Sequence, residues 1–210
     1  MSWKCTSCNA ENNDDIVRCS CGYEVTIYAN SKPRELNTPK TESMFYVVSV
    51  KKLTILNLST LGTYQLYWNY KNWSIYRSAS KEDIWPIPRA IFSMFFIHSL
   101  LRLVYEKIIN TEKSIKVDPR SYATPLVVLI LISNSLDRLA NKSIGSPYTD
   151  IASLAILIPL TLQFRQAQIA INIACDDSNG ASNREFTTAN YVWIVIGLIL
   201  WGVAIWGIAA

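Results

Sequence analysis

The sequence predicts a mainly α-helical, polytopic membrane protein of three to five spans with a small four-cysteine zinc ribbon at its N-terminus. Three observations carry this. Half of the 210 residues are hydrophobic and only 17% are charged, below the roughly 25% charged content of soluble domains. The stretch from Tyr191 to Ala210 holds no charge over 20 residues, enough at about 1.5 Å per residue to cross a hydrocarbon core of about 30 Å. Four of the five cysteines fall within the first 21 residues, where clustering without an apolar export segment points to a metal in a reducing compartment. The chain divides into a head over 1–29, a linker over 30–43 and a helical membrane region over 44–210.

The head opens on Trp3, Cys5 and Cys8, then Asn12, then Cys19, Cys21 and Gly22. A C-x-x-C pair places two thiolates on one tight turn, and a second close pair ten residues later completes four ligands. Cys5, Cys8, Cys19 and Cys21 are therefore the expected ligands of one structural Zn2+ per chain, which supplies folding energy that so short a segment cannot draw from a core. Gly22 suits the turn after the last ligand, where a positive φ is often needed. Residues 23–28 (YEVTIY) read as a short strand.

In these residues the head resembles the Ran-binding-protein type of zinc finger. Trp3, Cys5, Cys8, Asn12 and Cys19 keep that family's spacing. The last pair departs from it, being C-x-C where the family has C-x-x-C. The resemblance implies a ribbon on one zinc and two binding modes. The ubiquitin mode uses a Thr-Phe pair after the second cysteine, and Asn9-Ala10 stands there instead. The RNA mode needs positive charge, since phosphate contacts dominate nucleic-acid affinity. Residues 1–43 carry five basic and six acidic side chains, and thiolates would add negative charge. Nucleic acid is thus disfavoured, and a protein contact or a structural role is expected.

The linker contains two prolines and few apolar residues, as a solvated tether would. Five apolar segments follow. Besides 191–210, the segments 123–136 and 151–162 are expected to span once flanking residues extend them. The first, after Lys51-Lys52, is interrupted by Thr60-Leu61-Gly62, and its Asn57, Ser59 and Thr60 are costly unless they face protein. The second, 85–105, carries Arg89, His98 and Arg102, which suits an interfacial amphipathic helix or a span facing other helices. Charge bias narrows the topologies, because basic residues collect on the cytosolic side. If only the first segment crossed and the second lay flat, the nine basic residues of 71–120 would lie outside. Five spans give a weak inside bias. A re-entrant first segment with a flat second gives the strongest, leaving only Arg138 and Lys142 outside. With the head in the cytosol, both of these place the C-terminus outside.

Residues 60–73 (TLGTYQLYWNYKNW) are similar to a stretch found in several uncharacterised bacterial membrane-protein families, where Thr60, Gly62, Tyr64 and Trp68 match. Gln168 and Asn172, followed by Asn183, Phe186, Thr187 and Asn190 before the last helix, share that likeness. It implies a bacterial inner membrane and no particular chemistry.

Other candidate residues have bland readings close by. His98 is the single histidine, too few for a triad. Asp137-Arg138 reads as a charge pair at a helix end. Arg165, Gln168 and Asn172 share one helix face, where the amides would join helices. Asp176-Asp177 with Asn179-Gly180 lacks the later ligands of a calcium loop, and Cys175 stands alone. There is no Gly-rich phosphate loop, H-E-x-x-H or G-x-S-x-G. The expected function is non-enzymatic: a membrane protein contacting lipid, with a protein partner or a second copy of itself, whose head docks or senses. The alternative is a small transporter or channel lined by Asn57, Asp137, Arg165, Gln168 and Asn172.

Overall fold

The computed structural model describes residues 2–5, 7–13, 19–22 and 43–209, in two compact units, Met1–Lys40 and Thr41–Ala210. The strand expected over 23–28 and nearly all of the 30–43 linker lie outside the described residues. In the first unit, β1 (Ser2–Lys4) and β2 (Glu11–Asn13) form an antiparallel pair with Trp3 opposite Asn12.

The second unit is mainly helical, with its first helix beginning at Val50. Residues 44–49 are not helical: the chain bends at Met44-Phe45 and then runs through the core to α1, with Phe45 and Val48 fully buried. Helix α1 (Val50–Ser59) follows, capped by the Ser49 hydroxyl, which accepts from the Lys52 N–H at 3.3 Å. A break at 60–63 follows, with Leu61 and Gly62 at positive φ (51° and 82°), and then α2 (Tyr64–Ser80). Helix α3 (Pro86–Ile91) starts on a proline, whose missing N–H costs nothing in a first turn. Helix α4 (Ser93–Asn110) buries Ile97, Leu100, Leu101, Val104 and Ile108 along one face. Helix α5 (Ala123–Asn141) comes next. Helices α6 (Tyr148–Ala155) and α7 (Leu157–Ala174) are nearly continuous, parted just before Pro159, whose ring cannot continue the preceding turn. Helix α8 (Thr188–Ala209) ends the fold.

Three helical stretches are long and apolar enough to cross a membrane: Pro119–Asn141, Tyr148–Ala174 and Thr188–Ile208. In the most apolar 18 residues of each, 44% are buried for α6–α7 but only 11% and 6% for the other two. Helix α7 is thus the central post, while α5 and α8 show apolar faces outward, as lipid-facing helices do. The first two apolar segments do not reach this standard. Helix α1 is only ten residues long, about 15 Å, and α4 is amphipathic, with His98 and Arg102 exposed.

The contacts of α1 and α2 show a hairpin that descends and returns. Near its end, the Asn57 amide donates to the Thr161 hydroxyl at 2.6 Å, midway along Tyr148–Ala174. At the same level α8 packs on the end of α1 through Gly197. The Trp201 indole N–H donates to Leu58 O at 2.8 Å. Helix α2 then climbs back past Gln168 to Asn72, whose side chain meets Tyr46.

A Cβ at Gly197 would collide with the Ser59 carbonyl oxygen, whereas one at Gly202 would meet nothing within 4 Å. Gly197→Leu is therefore expected to destabilise the folded chain in detergent by more than the about 1–3 kcal/mol of ordinary overpacking, because backbone faces backbone. Gly202→Leu should be nearly neutral, and thermal unfolding of the two variants side by side checks the difference.

Candidate functional site

The head brings its four cysteines together. Strands β1 and β2 flank the first pair. The turn between them closes through Cys5 N–H donating to Ala10 O and Asn9 N–H donating to Cys5 O, both 2.9 Å. Asn9 takes a positive φ of 62°, a conformation asparagine tolerates better than most residues. The Asn12 amide donates to Ala10 O at 3.2 Å, tying that turn to β2. The second pair turns through Gly22 N–H to Cys19 O at 2.8 Å, with Gly22 at φ +88° as the sequence expects.

All four Sγ atoms lie within 4.8 Å of one another, and Cys5–Cys21 and Cys8–Cys19 approach to 3.6 and 3.5 Å. Zinc–sulfur bonds of about 2.3 Å at tetrahedral angles put sulfurs about 3.8 Å apart, whereas a disulfide needs about 2.0 Å. All four are free thiols at metal-site spacing. Cys5 and Cys19 are buried and Cys8 and Cys21 exposed. The donor set fits a metal ion held by structure alone, with every tetrahedral position supplied by the chain.

Without a cation the thiols cannot all ionise. The Cys19 thiol is pulled down to about 6, first by the backbone hydrogen bond from Cys21 and further by the Asn12 amide. Cys8 receives a backbone hydrogen bond from Ala10 that favours its thiolate, but the neighbouring sulfurs of Cys21 and Cys19 outweigh it and push Cys8 up to about 12. A metal must therefore displace protons, Cys8's among them, so binding strengthens as pH rises. Apparent zinc affinity is expected to fall steadily from pH 8 to pH 6. Competition with a chromophoric chelator across that range measures it.

In the second unit the amides singled out from sequence are gathered, with others, around the segment 44–49. Buried backbone groups need partners, and among the described residues no strand pairs with this segment. Side-chain amides take that place. Asn172 donates to Val48 O at 3.0 Å and accepts from Val48 N–H at 3.4 Å, as a facing strand would. Gln168 donates to Tyr46 O at 3.0 Å and to Asn172 Oδ1 at 2.7 Å, and accepts from the Trp68 indole N–H. Asn72 accepts from Tyr46 N–H at 3.1 Å. Asn183 donates to Val47 O at 2.9 Å and accepts from Lys52 Nζ at 2.8 Å. Lys52, itself buried, also donates to Glu185 O at 2.7 Å. Gly180 completes the clamp, since a Cβ there would lie 2.6 Å from Val48 O.

The other candidates disperse. Asp137 and Arg138 are exposed near the end of α5 and Arg165 is half-exposed. His98 is exposed, its Nε2 3.2 Å from the Thr124 hydroxyl. Asp177 spends its carboxylate on the N–H groups of Ala181 and Ser182 at 2.7 and 2.8 Å, and Asp176 pairs with Lys113 at 2.9 Å. That turn is a structural cap. Cys175 ends α7 beside Phe45 O. The roles of Asn72, Lys52 and Gly180 were not visible in sequence, because each acts on backbone more than a hundred residues away or on a segment that no local pattern singles out.

Fold and site define a class: a mainly helical protein with three helices able to cross a membrane and a four-cysteine cluster able to hold a metal ion. No protein-family model matches the chain, and neither a curated protein nor a solved structure matches it.

Proposed function

We propose that this is a multi-pass protein of the bacterial inner membrane whose cytosolic head, a zinc ribbon of the Ran-binding-protein type, docks a protein partner and catalyses nothing. The observation that carries this is the closed thiol cluster. With four sulfurs as ligands the ion has no open position for water, so it can organise a surface but cannot activate a nucleophile. The acidic balance of the head favours a protein partner over nucleic acid.

The topology that goes with this reading has three spans and a re-entrant hairpin. Helix α1 ends level with the midpoints of two candidate spans, and α2 returns to the side on which it began. Of the 20 Lys and Arg residues, only Arg138 and Lys142 then face outward, in keeping with the positive-inside bias. Solute transport draws no support from the amides, because Gln168 and Asn172 are spent on the backbone of 44–49.

Affinity capture from detergent, with the full chain and with a chain lacking residues 1–29, tests the docking. A partner held by the full chain and lost without the head is expected. A partner retained equally by both would overturn the assignment to the head.

A further inference from the structure

The hairpin leaves a cleft between itself, α3 and the first half of α8. Its volume is about 730 Å³, and its walls are mostly apolar, including Leu56, Tyr67, Ile87, Trp193 and Leu200. Its long direction follows α8. At one end lie Thr187 and Asn190, where the helix begins, and at the other Gly197 and Leu200, near its middle. From Thr187 to Leu200 the chain rises about 20 Å, about the depth of one leaflet with its interface.

The dimensions select the occupant. A volume of 730 Å³ open to the centre of a water molecule, spread over about 20 Å, gives about 9–10 Å between the walls, wide enough for an acyl chain and narrower than a helix of about 10–12 Å. Water is a poor filler where so few polar atoms line the walls. Polar side chains line both ends: Thr60 stands beside Gly197, and Thr187 and Asn190 stand where α8 begins, the Asn190 side chain accepting from Thr187 N–H at 3.0 Å. Lys71 stands over the ring of Tyr67, its Nζ 5.9 Å from the centroid. Among the described residues, Lys71 has no carboxylate within ion-pair distance. A basic side chain at the interface attracts anionic headgroups.

We infer that the cleft holds one acyl chain of an anionic phospholipid from the leaflet on the Thr187 side, with its headgroup at Lys71. The inference rests on the membrane reading above, and the two can fail separately.

The test uses the full chain reconstituted into nanodiscs of phosphatidylcholine and phosphatidylglycerol at four to one, then released for native mass spectrometry. One retained phospholipid per chain is expected, enriched in phosphatidylglycerol over the bulk ratio. Ala189→Trp, which fills the cleft from an exposed position on α8, should lower retention at least fivefold. Lys71→Glu should keep a lipid but lose the preference for phosphatidylglycerol. Against misfolding of a variant, the unmodified chain carrying a phospholipid with a diazirine in its acyl tail should crosslink at Trp193 or Leu66. Adducts confined to Val195 and Ile199 would overturn the proposal. So would unchanged retention in Ala189→Trp, no retained lipid at all, or a retained second copy that Ala189→Trp releases. A chain that stays soluble without detergent would instead remove the membrane reading itself.

Discussion

Cys8→Ser and Cys5→Ser are each expected to strip the head of its metal while leaving the helical unit folded. Four thiolates hold a structural zinc with an apparent free energy of about 10–16 kcal/mol at pH 7, and that binding is the folding energy of so small a unit. Serine keeps the volume but replaces a soft, ionisable sulfur by a hydroxyl that stays protonated at neutral pH. The remaining three ligands leave an open position, so affinity should fall by more than the about 100-fold that loss of an outer-shell partner brings. Cys5 is buried and Cys8 exposed, so Cys5→Ser should also disturb packing and be the worse of the two. Metal content of the purified full chain, together with protease cleavage within the head, reads the outcome. One zinc per chain in both variants would mean that these sulfurs are not its ligands.

The second large effect is expected at Asn172. Asn172→Leu keeps the branched outline of the side chain but removes both bonds to Val48 and the one from Gln168. Three buried polar groups lose a partner, at about 1–3 kcal/mol each, so a loss of about 3–9 kcal/mol in the stability of the helical unit is expected. Asn172→Asp keeps an oxygen to accept from Val48 N–H and Gln168. It then sets a second oxygen against Val48 O, where the amide had donated, and buries a charge. It should be no better than leucine. Thermal unfolding in detergent measures both, and protease cleavage at 43–49 shows whether the segment leaves the core. A leucine variant within about 0.5 kcal/mol of the parent would show that the clamp contributes nothing to stability.

The two variants probe parts that differed in legibility. The cysteine cluster could be read from spacing because its geometry is local: a tight turn brings each pair to one point whatever the rest of the chain does. The last helix was equally plain, since 20 uncharged residues have few other places to be. Gln168 and Asn172 could be placed on one helix face, and joining elements was the expected role. Their main target, however, is the backbone of a non-helical segment at the start of the helical region. Nothing local marks residues 44–49 as non-helical. Their conformation is set by amides from α2, α7 and the loop before α8.

The first two apolar segments show the same division. Thr60-Leu61-Gly62 announced a break, and the charges of the second segment announced an amphipathic helix. A span and a re-entrant hairpin have similar composition, so composition could not choose between them. The partners of Asn57 and Gly197 place the end of α1 beside the middle of α7 and α8, which supports the hairpin proposed above.

The sequence by itself determined what is encoded over short range: four metal-competent thiols, helices apolar enough for lipid, and a break between α1 and α2. Tertiary structure alone decided which backbone the buried amides satisfy, where α1 stops relative to its neighbours, and that a narrow cleft opens beside α8. The physical reason is separation along the chain. Hydrogen bonds from residues 168–183 to residues 46–52 bridge over a hundred positions, and no local pattern specifies which distant carbonyl an amide will meet.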